Sequence, residues 1–211
     1  MNKPVIIIGA SPLGQATLEI FKSNGVVVYG FLDDDQKLHG TEIEDVQVLG
    51  STDNEEFLKI IGKDCDVFIA SDDNAWKANM IKSLRKQKSM PVNAIHTNAN
   101  VSESSILHHG SLINQGVKIG ANTEIGNHCL IHSGSIIDYH VKVGNFVQLG
   151  AGCIINAGAI IEDGAFIGSG ANIIAGVTVK EGARIGAGSV VISDVKKNET
   201  VFGNPAVPLK K

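Results

Sequence analysis

From Val101 onward, an aliphatic residue returns at every sixth position of the chain. Read in sixes, the first places are Val101, Leu107, Ile113, Ile119, Ile125, Ile131, Ile137, Val143, Leu149, Ile155, Ile161, Ile167, Ile173, Val179, Ile185 and Val191. The fifth places, from Ser105 to Val195, are all small: serine, threonine, cysteine, alanine or valine. Neither an amphipathic helix nor a lone half-buried strand has this period. A six-residue unit with one aliphatic and one small residue predicts a parallel β-helix. Three units close one triangular coil, and the aliphatic side chains stack inside it. Ten of the sixteen fourth places are glycine, with Asn122, His140 and Asp194 among the others. Most of these types tolerate positive φ, so the fourth place is predicted to be the corner. About five coils at a strand spacing of roughly 4.8 Å make a prism about 25 Å tall.

Before residue 96 the pattern is different. "VIIIG" (Val5–Gly9) is a short apolar run ended by glycine, as in a buried parallel strand. A helical stretch then runs to Gly25. "VVVYGFLDDD" predicts a second strand ending in Asp33–Asp35, Asp66–Ser71 a third, Asn74–Gln87 a helix and Val92–Ile95 a last short strand. Strands alternating with helices predict a Rossmann-like parallel α/β unit over residues 1–95, with the β-helix and a C-terminal cap over 96–211. The turn Gly9-x-Ser11-x-x-Gly14 has serine where a dinucleotide fingerprint has its middle glycine. It opens a helix whose N-terminus attracts phosphate, or it simply joins strand to helix. Asp33 and Asp34 are placed to accept hydrogen bonds from a ribose or base, or are solvated loop acids.

Composition narrows the class. A net charge of −4 and the absence of a basic run give no field for nucleic acid. No apolar run reaches the length of a membrane span, and the first residues do not read as a signal peptide. A soluble, cytoplasmic protein is expected. Cys65, Cys129 and Cys153 fit neither a disulfide framework nor metal-ligand spacing, and read as reduced thiols packed as small apolar groups. The 24 glycines and 5% aromatics mean that the core is built from stacked aliphatic side chains. A zinc trio is incomplete: His96 and His132 are 36 residues apart, but the place five residues on is Ile137. No metal is expected. The open ends of a solenoid need covering, which the α/β unit and the tail can supply, and its flat outer faces suit self-association.

The hexads, the "GNPA" (Gly203–Ala206) after them, "IIIGAS…FLDDD" before them and "NAIHTNA" at the junction together resemble the bacterial sugar O-/N-acyltransferases. That family includes nucleotide-amino-sugar acetyltransferases and sialic acid O-acetyltransferase-like proteins. The resemblance covers essentially the whole chain. It implies left-handed coiling, a homotrimer, acetyl-CoA as co-substrate between adjacent prisms, and a nucleotide sugar held partly by the N-terminal unit. It also implies a general base that takes the acceptor's proton during direct attack on the thioester. The resemblance places Gln148, Ser169 and Ala187 at acetyl-CoA, and Ser11, Pro12, Leu13, Asp33, Asp34 and Asp72 at the nucleotide sugar. His132 falls near the active cleft.

Departures fall on these positions. The family reads acid–His–acid where this chain reads Asp138–Tyr139–His140. Gln148 stands for a histidine, Pro12–Leu13 for Gly–His, and Asp72 for a glycine. Tyr139 therefore occupies the base position, and His140 that of the acid beside it. Histidine, with a reference pKa of about 6.5, is the better base at neutral pH than tyrosine at about 10. His140 is either a relocated base or a corner residue, as His128 is in its own hexad. Two functions follow: an acetyl-CoA-dependent sugar acyltransferase with His140 or Tyr139 in catalysis, or a non-catalytic scaffold or ligand-binding homologue. His108 and His109 are expected in solvent.

Overall fold

Layers of one repeated length stack without gaps, and that rule shapes most of the second half of the chain. In the computed structural model, which describes residues 3–86 and 89–209, the chain forms two compact units, Met1–Thr97 and Asn98–Lys211. In the second unit each two-residue strand pairs in parallel with the strand eighteen residues further on. Three flat faces result. One runs Lys118–Ile136–Ile154–Asn172–Val190 along its outer row. A second runs Glu124–Lys142–Ile160–Thr178. A third runs Leu130–Gln148–Phe166–Arg184. First-place residues from Ile113 to Val191 are buried in the column. Every fourth place from Gly110 to Gly188 has positive φ, including Asn122, His128, His140 and Phe146. Corner and register are therefore as the period predicts. Phe146 is the unexpected member, at φ 57°, with its ring 5.2 Å from that of His128 one coil away.

The small fifth places do more than leave room. Ser111, Thr123 and Ser135 donate their hydroxyls to the carbonyls of Gly126, Asp138 and Gly150, each fifteen residues on. Cys129 and Cys153 direct their thiols to Gly144 O (3.0 Å) and Gly168 O (3.2 Å) in the same way. These side chains satisfy corner carbonyls that point inward, away from water. At another corner a ladder does the equivalent for backbone N–H groups: Asn127 N donates to Asn145 Oδ1, and Asn145 N to Asp163 Oδ1.

The repeat ends differently from its sequence reading. Val179 bridges Val195, and Ile185 pairs with Val201, both sixteen residues on rather than eighteen. The last coil is two residues short: Asp194, at a predicted corner, does not have positive φ, and Asn198, at φ 57°, turns the corner sixteen residues after Gly182. Asp194 instead accepts a hydrogen bond from Thr178 N at 2.8 Å. Thr200–Gly203 then turns back as an antiparallel hairpin with Ala206–Pro208, so "GNPA" is the hairpin turn.

All three cysteines are buried. Burial pushes the Cys153 thiol up from an ordinary value of 9.0 to about 11. Native protein at pH 8 is expected to leave all three unlabelled by a thiol reagent that labels the unfolded chain fully; prompt native labelling of Cys129 or Cys153 would contradict this packing. The native thiol holds its proton to higher pH than the unfolded one. Its contribution to stability is thus complete below pH 9 and is lost as pH rises toward about 11.

In the first unit, β1 (Val5–Ile8), β2 (Val28–Leu32), β3 (Glu42–Ile43), β4 (Val46–Gly50) and β5 (Asp66–Ile69) form one sheet in the order β3-β4-β2-β1-β5. All its pairings are parallel except that of β3 with β4. The fully buried β1 lies at the centre of the core, and α1 (Pro12–Ser23) buries Leu18, Ile20 and Phe21. Phe21 meets Phe68 of β5 edge to face at 6.0 Å. The helix α2 (Glu55–Leu58) follows β4, and α3 (Asn74–Lys86) follows β5. Gln87, the predicted last residue of α3, lies outside the described residues. The β3–β4 hairpin and α2 have no counterpart in the sequence reading. The Val92–Ile95 strand is shorter than predicted, Ala94–Ile95.

Candidate functional site

The strand order of the first unit puts β2 and β5 on opposite sides of β1, which makes a crevice at their carboxyl ends, where open α/β sheets hold ligands. A cavity of about 290 Å³ lies there, lined by Gly9, Ser11, Asp33, Asp34, Thr52, Ala70, Ser71, Asp72 and Trp76. Two glycines build it. A Cβ on Gly9, at φ 108°, would meet Ala70 O at 2.5 Å, and a Cβ on Gly14 would overlap Gly9 O. Gly9 thus makes the turn and Gly14 lets α1 approach it closely, two of the three fingerprint roles. Ser11 caps α1 without a side-chain hydrogen bond to the helix, and Pro12 begins the first turn. The helix terminus therefore retains backbone donors suited to an anion.

The two loop acids have different work. Asp33 accepts from Ala10 N (2.7 Å) and Asp35 N (2.9 Å), which ties the end of β2 to the glycine turn. Asp34 accepts from Thr52 N and Thr52 Oγ1 through Oδ1 alone (2.9 and 2.8 Å). Asp73 caps α3 by accepting from Ala75 N and Trp76 N, which sets Trp76 in the first turn at the cavity wall. Four of the residues proposed for the nucleotide sugar, Ser11, Asp33, Asp34 and Asp72, come together here; Pro12 and Leu13 adjoin the cavity in α1 and do not line it. Thr52 and Trp76 were missed from sequence. No spacing signals them, although Trp76 is the single tryptophan of the chain.

In the second unit Asp138, Tyr139 and His140 form one corner. Tyr139 is 52% exposed, and its ring stands edge to face with that of His140 at 5.8 Å. The corner is held from several sides. His140 N donates to Ala121 O and Tyr139 N to Asp138 Oδ1. Thr123 donates to Asp138 O and accepts from Val141 N. One coil away, a Cβ on Gly120 would meet Tyr139 N at 2.6 Å, so glycine is required beneath the corner. Thr123 and Gly120 are supporting residues that the hexad pattern places but does not single out. His132 is half-buried, and its backbone N–H donates to Leu149 O. His108 is partly exposed, with its ring 3.1 Å from Glu124 Oε1, and His109 is exposed.

Gln148 lies in the strand Gln148–Leu149, and the corner that follows it carries Ala151 and, in later coils, Ser169 and Ala187. Gly150 and Gly168 sit directly against Ser169 N and Ala187 N, where a Cβ would come within 2.5 Å. The result is an exposed column of small residues. That column and the Tyr139–His140 corner border the same face, the one carrying Ile136 and Ile154, but at its opposite edges. The sequence-predicted base and cofactor residues are therefore not neighbours within one chain. Among the described residues no group of three or more His, Cys, Asp or Glu could hold a metal ion, and no helix is long and apolar enough to cross a membrane.

The comparisons agree with this architecture. The PglD N-terminal domain matches residues 4–84, and the bacterial transferase hexapeptide (six repeats) matches 158–193. No protein in the curated comparison matches. A mutant of perosamine N-acetyltransferase from Caulobacter crescentus, in complex with CoA and GDP-perosamine, is similar at 28% identity and a TM-score of 0.89, over 100% of this chain and 99% of that one. The acetyltransferase domain of PglB from Neisseria gonorrhoeae, in complex with acetyl coenzyme A, is similar at 25% identity and a TM-score of 0.90, over 99% and 100%. WeeI from Acinetobacter baumannii is similar at 25% identity and a TM-score of 0.87, also over 99% and 100%. With a PglD-type unit before the hexapeptide coils, the chain is similar over its full length to bacterial sugar acetyltransferases of the left-handed β-helix, hexapeptide-repeat kind.

Proposed function

We propose that the protein transfers an acetyl group from acetyl-CoA to an amine or hydroxyl of a nucleotide-linked sugar. The observation that carries this reading is likeness over both units at once to proteins described with CoA, acetyl-CoA and a nucleotide sugar. The crevice of the first unit, with its anion-ready helix terminus, is suited to the nucleotide. The column of Ser169 and Ala187, with Gln148 beside it, is suited to the cofactor. In the second unit His140, with Tyr139 against it, is the base. His132 lies in the same coils and serves the substrate.

The separation of the base corner and the cofactor column favours a homotrimer. Each pair would be completed by apposing one copy's Tyr139–His140 corner to the small-residue column of the next. The face between them supports this, because its outer row exposes Ile136 and Ile154 (38% and 37%). Burying such side chains is the ordinary source of association energy.

In the reaction, the acceptor nitrogen or oxygen attacks the thioester carbonyl carbon while His140 takes its proton. The new C–N or C–O bond forms, the C–S bond breaks, and the proton passes to the departing sulfur. The products are the acetylated sugar and free CoA.

The test is release of free CoA when the protein meets acetyl-CoA and a panel of nucleotide amino sugars. Turnover with at least one acceptor is expected. No turnover from an intact trimer with any acceptor, together with no binding of acetyl-CoA in calorimetry, would leave the non-catalytic reading that Tyr139 at the base position favours.

A further inference from the structure

We infer that His39 is a positioning residue of the first unit's crevice: it pins the Asp33 carbonyl and thereby turns the N–H of the Asp33–Asp34 peptide toward a ligand held there. The inference rests on the reading of that crevice as the nucleotide site, and it adds a residue that does not line the cavity.

Asp33 is a junction of four ties. Its N–H donates to Gly50 O at the end of β4 (2.9 Å). Its carboxylate accepts from Ala10 N in the glycine turn and from Asp35 N in its own loop, at 2.7 and 2.9 Å. Its carbonyl faces His39 Nε2 at 2.7 Å, a contact that closes the loop six residues on. A carbonyl oxygen only accepts, so Nε2 carries a proton and donates. Both the neutral Nε2–H ring and the imidazolium supply that donor. The first three ties use backbone groups of the partner residue, and the fourth alone depends on a partner's side chain. His39 is itself held, because Leu38 N donates to Asp35 O and Gly40 N to Val48 O. The half-buried ring is therefore carried by a turn that rejoins β4.

Planarity carries the effect to Asp34. The carbonyl of residue 33 and the N–H of residue 34 belong to one trans peptide and point in opposite directions. With the carbonyl held against His39, outside the cavity lining, the Asp34 N–H is turned to the other side. Among the described residues no hydrogen bond engages that N–H. Asp33 and Asp34 both line the cavity, and the Asp34 carboxylate is held separately by Thr52. The crevice thus presents an oriented backbone donor beside its acids. Carbonyl and phosphate oxygens of a nucleotide are the acceptors that such a donor takes.

The test compares His39→Gln, which keeps an N–H donor at similar reach, with His39→Met, which has nearly the shape of glutamine and no donor. The full chain is titrated with GDP, UDP, CDP and ADP, read by the fluorescence of Trp76, the single tryptophan, and by calorimetry. His39→Met is expected to weaken the tightest of the four by about fivefold or more. His39→Gln is expected to stay within about twofold of the unaltered chain. In turnover the loss should appear in the KM for the sugar nucleotide, with kcat and the KM for acetyl-CoA within about twofold. A smaller change in His39→Met overturns the inference and leaves the acyltransferase reading standing. A glutamine variant as weak as the methionine one also overturns it, since the donor would then not be what matters. Thermal unfolding is followed in parallel, and a methionine variant that does not fold makes the bond a structural one and overturns the positioning role. Absence of binding by all four to the unaltered chain removes the nucleotide from the crevice, and the inference with it. CoA release with a sugar nucleotide in that case would still uphold acetyl transfer.

Discussion

Replacing His140 by asparagine or alanine is expected to lower kcat by about a hundredfold or more and to leave the KM for acetyl-CoA within about twofold. The asparagine variant is the informative one. His140 sits at φ 57°, where asparagine is among the best tolerated of non-glycine residues, so it preserves the corner and removes only the imidazole. Alanine at that φ adds backbone strain of about 1–2 kcal/mol, and part of its effect would be structural. Tyr139→Phe keeps the ring beside residue 140 and deletes the hydroxyl. It is expected to retain kcat within about threefold if the imidazole is the base. The pH–rate profile adds a separate readout. An acid limb present in the unaltered enzyme and absent in His140→Asn would belong to the imidazole. Full activity in His140→Asn with loss in Tyr139→Phe would transfer the role to the phenol.

The largest effect on stability is expected at Ile155. Its side chain is fully buried between those of Ile137 and Ile173, one coil to either side in the same column. Ile155→Ala is expected to cost about 2–5 kcal/mol, because stacked layers cannot close over the missing methyl groups. In a solenoid the loss reaches both neighbouring coils, since each layer is supported by the next. The adjacent Ile154 is the control. It is 37% exposed on the outer row, so Ile154→Ala is expected to shift chain stability by about 0.5 kcal/mol or less. In the proposed trimer the order reverses: Ile154→Ala weakens association and Ile155→Ala does not act there directly. Denaturant unfolding and sedimentation measure the two effects separately. An unfolding midpoint for Ile155→Ala equal to that of the unaltered chain would mean that these layers do not carry the unit.

Much of this protein was readable before any coordinates. The column from Ile113 to Val191, its small fifth places and fourteen consecutive corners follow from a six-residue period, because each layer repeats the environment of the one beneath it. What the period hides lies where repetition stops. The last coil is two residues short, with Asp194 accepting from Thr178 N and Asn198 turning the corner that follows Gly182. The β3–β4 hairpin escapes notice because its turn residues, Glu44 and Asp45, have positive φ without the asparagine or glycine that usually signals it.

The sequence by itself determined the solenoid, the parallel α/β unit and the register that puts Tyr139 and His140 on one corner, because these depend on patterns within tens of residues. Tertiary structure decided which side chains meet. It drew Thr52 and Trp76 to a crevice with Asp34, since neighbours in a sheet need not be neighbours in the chain. It also put the histidine corner and the Ser169–Ala187 column on opposite edges of one face, because a closed triangular coil fixes directions around an axis that a linear period cannot express.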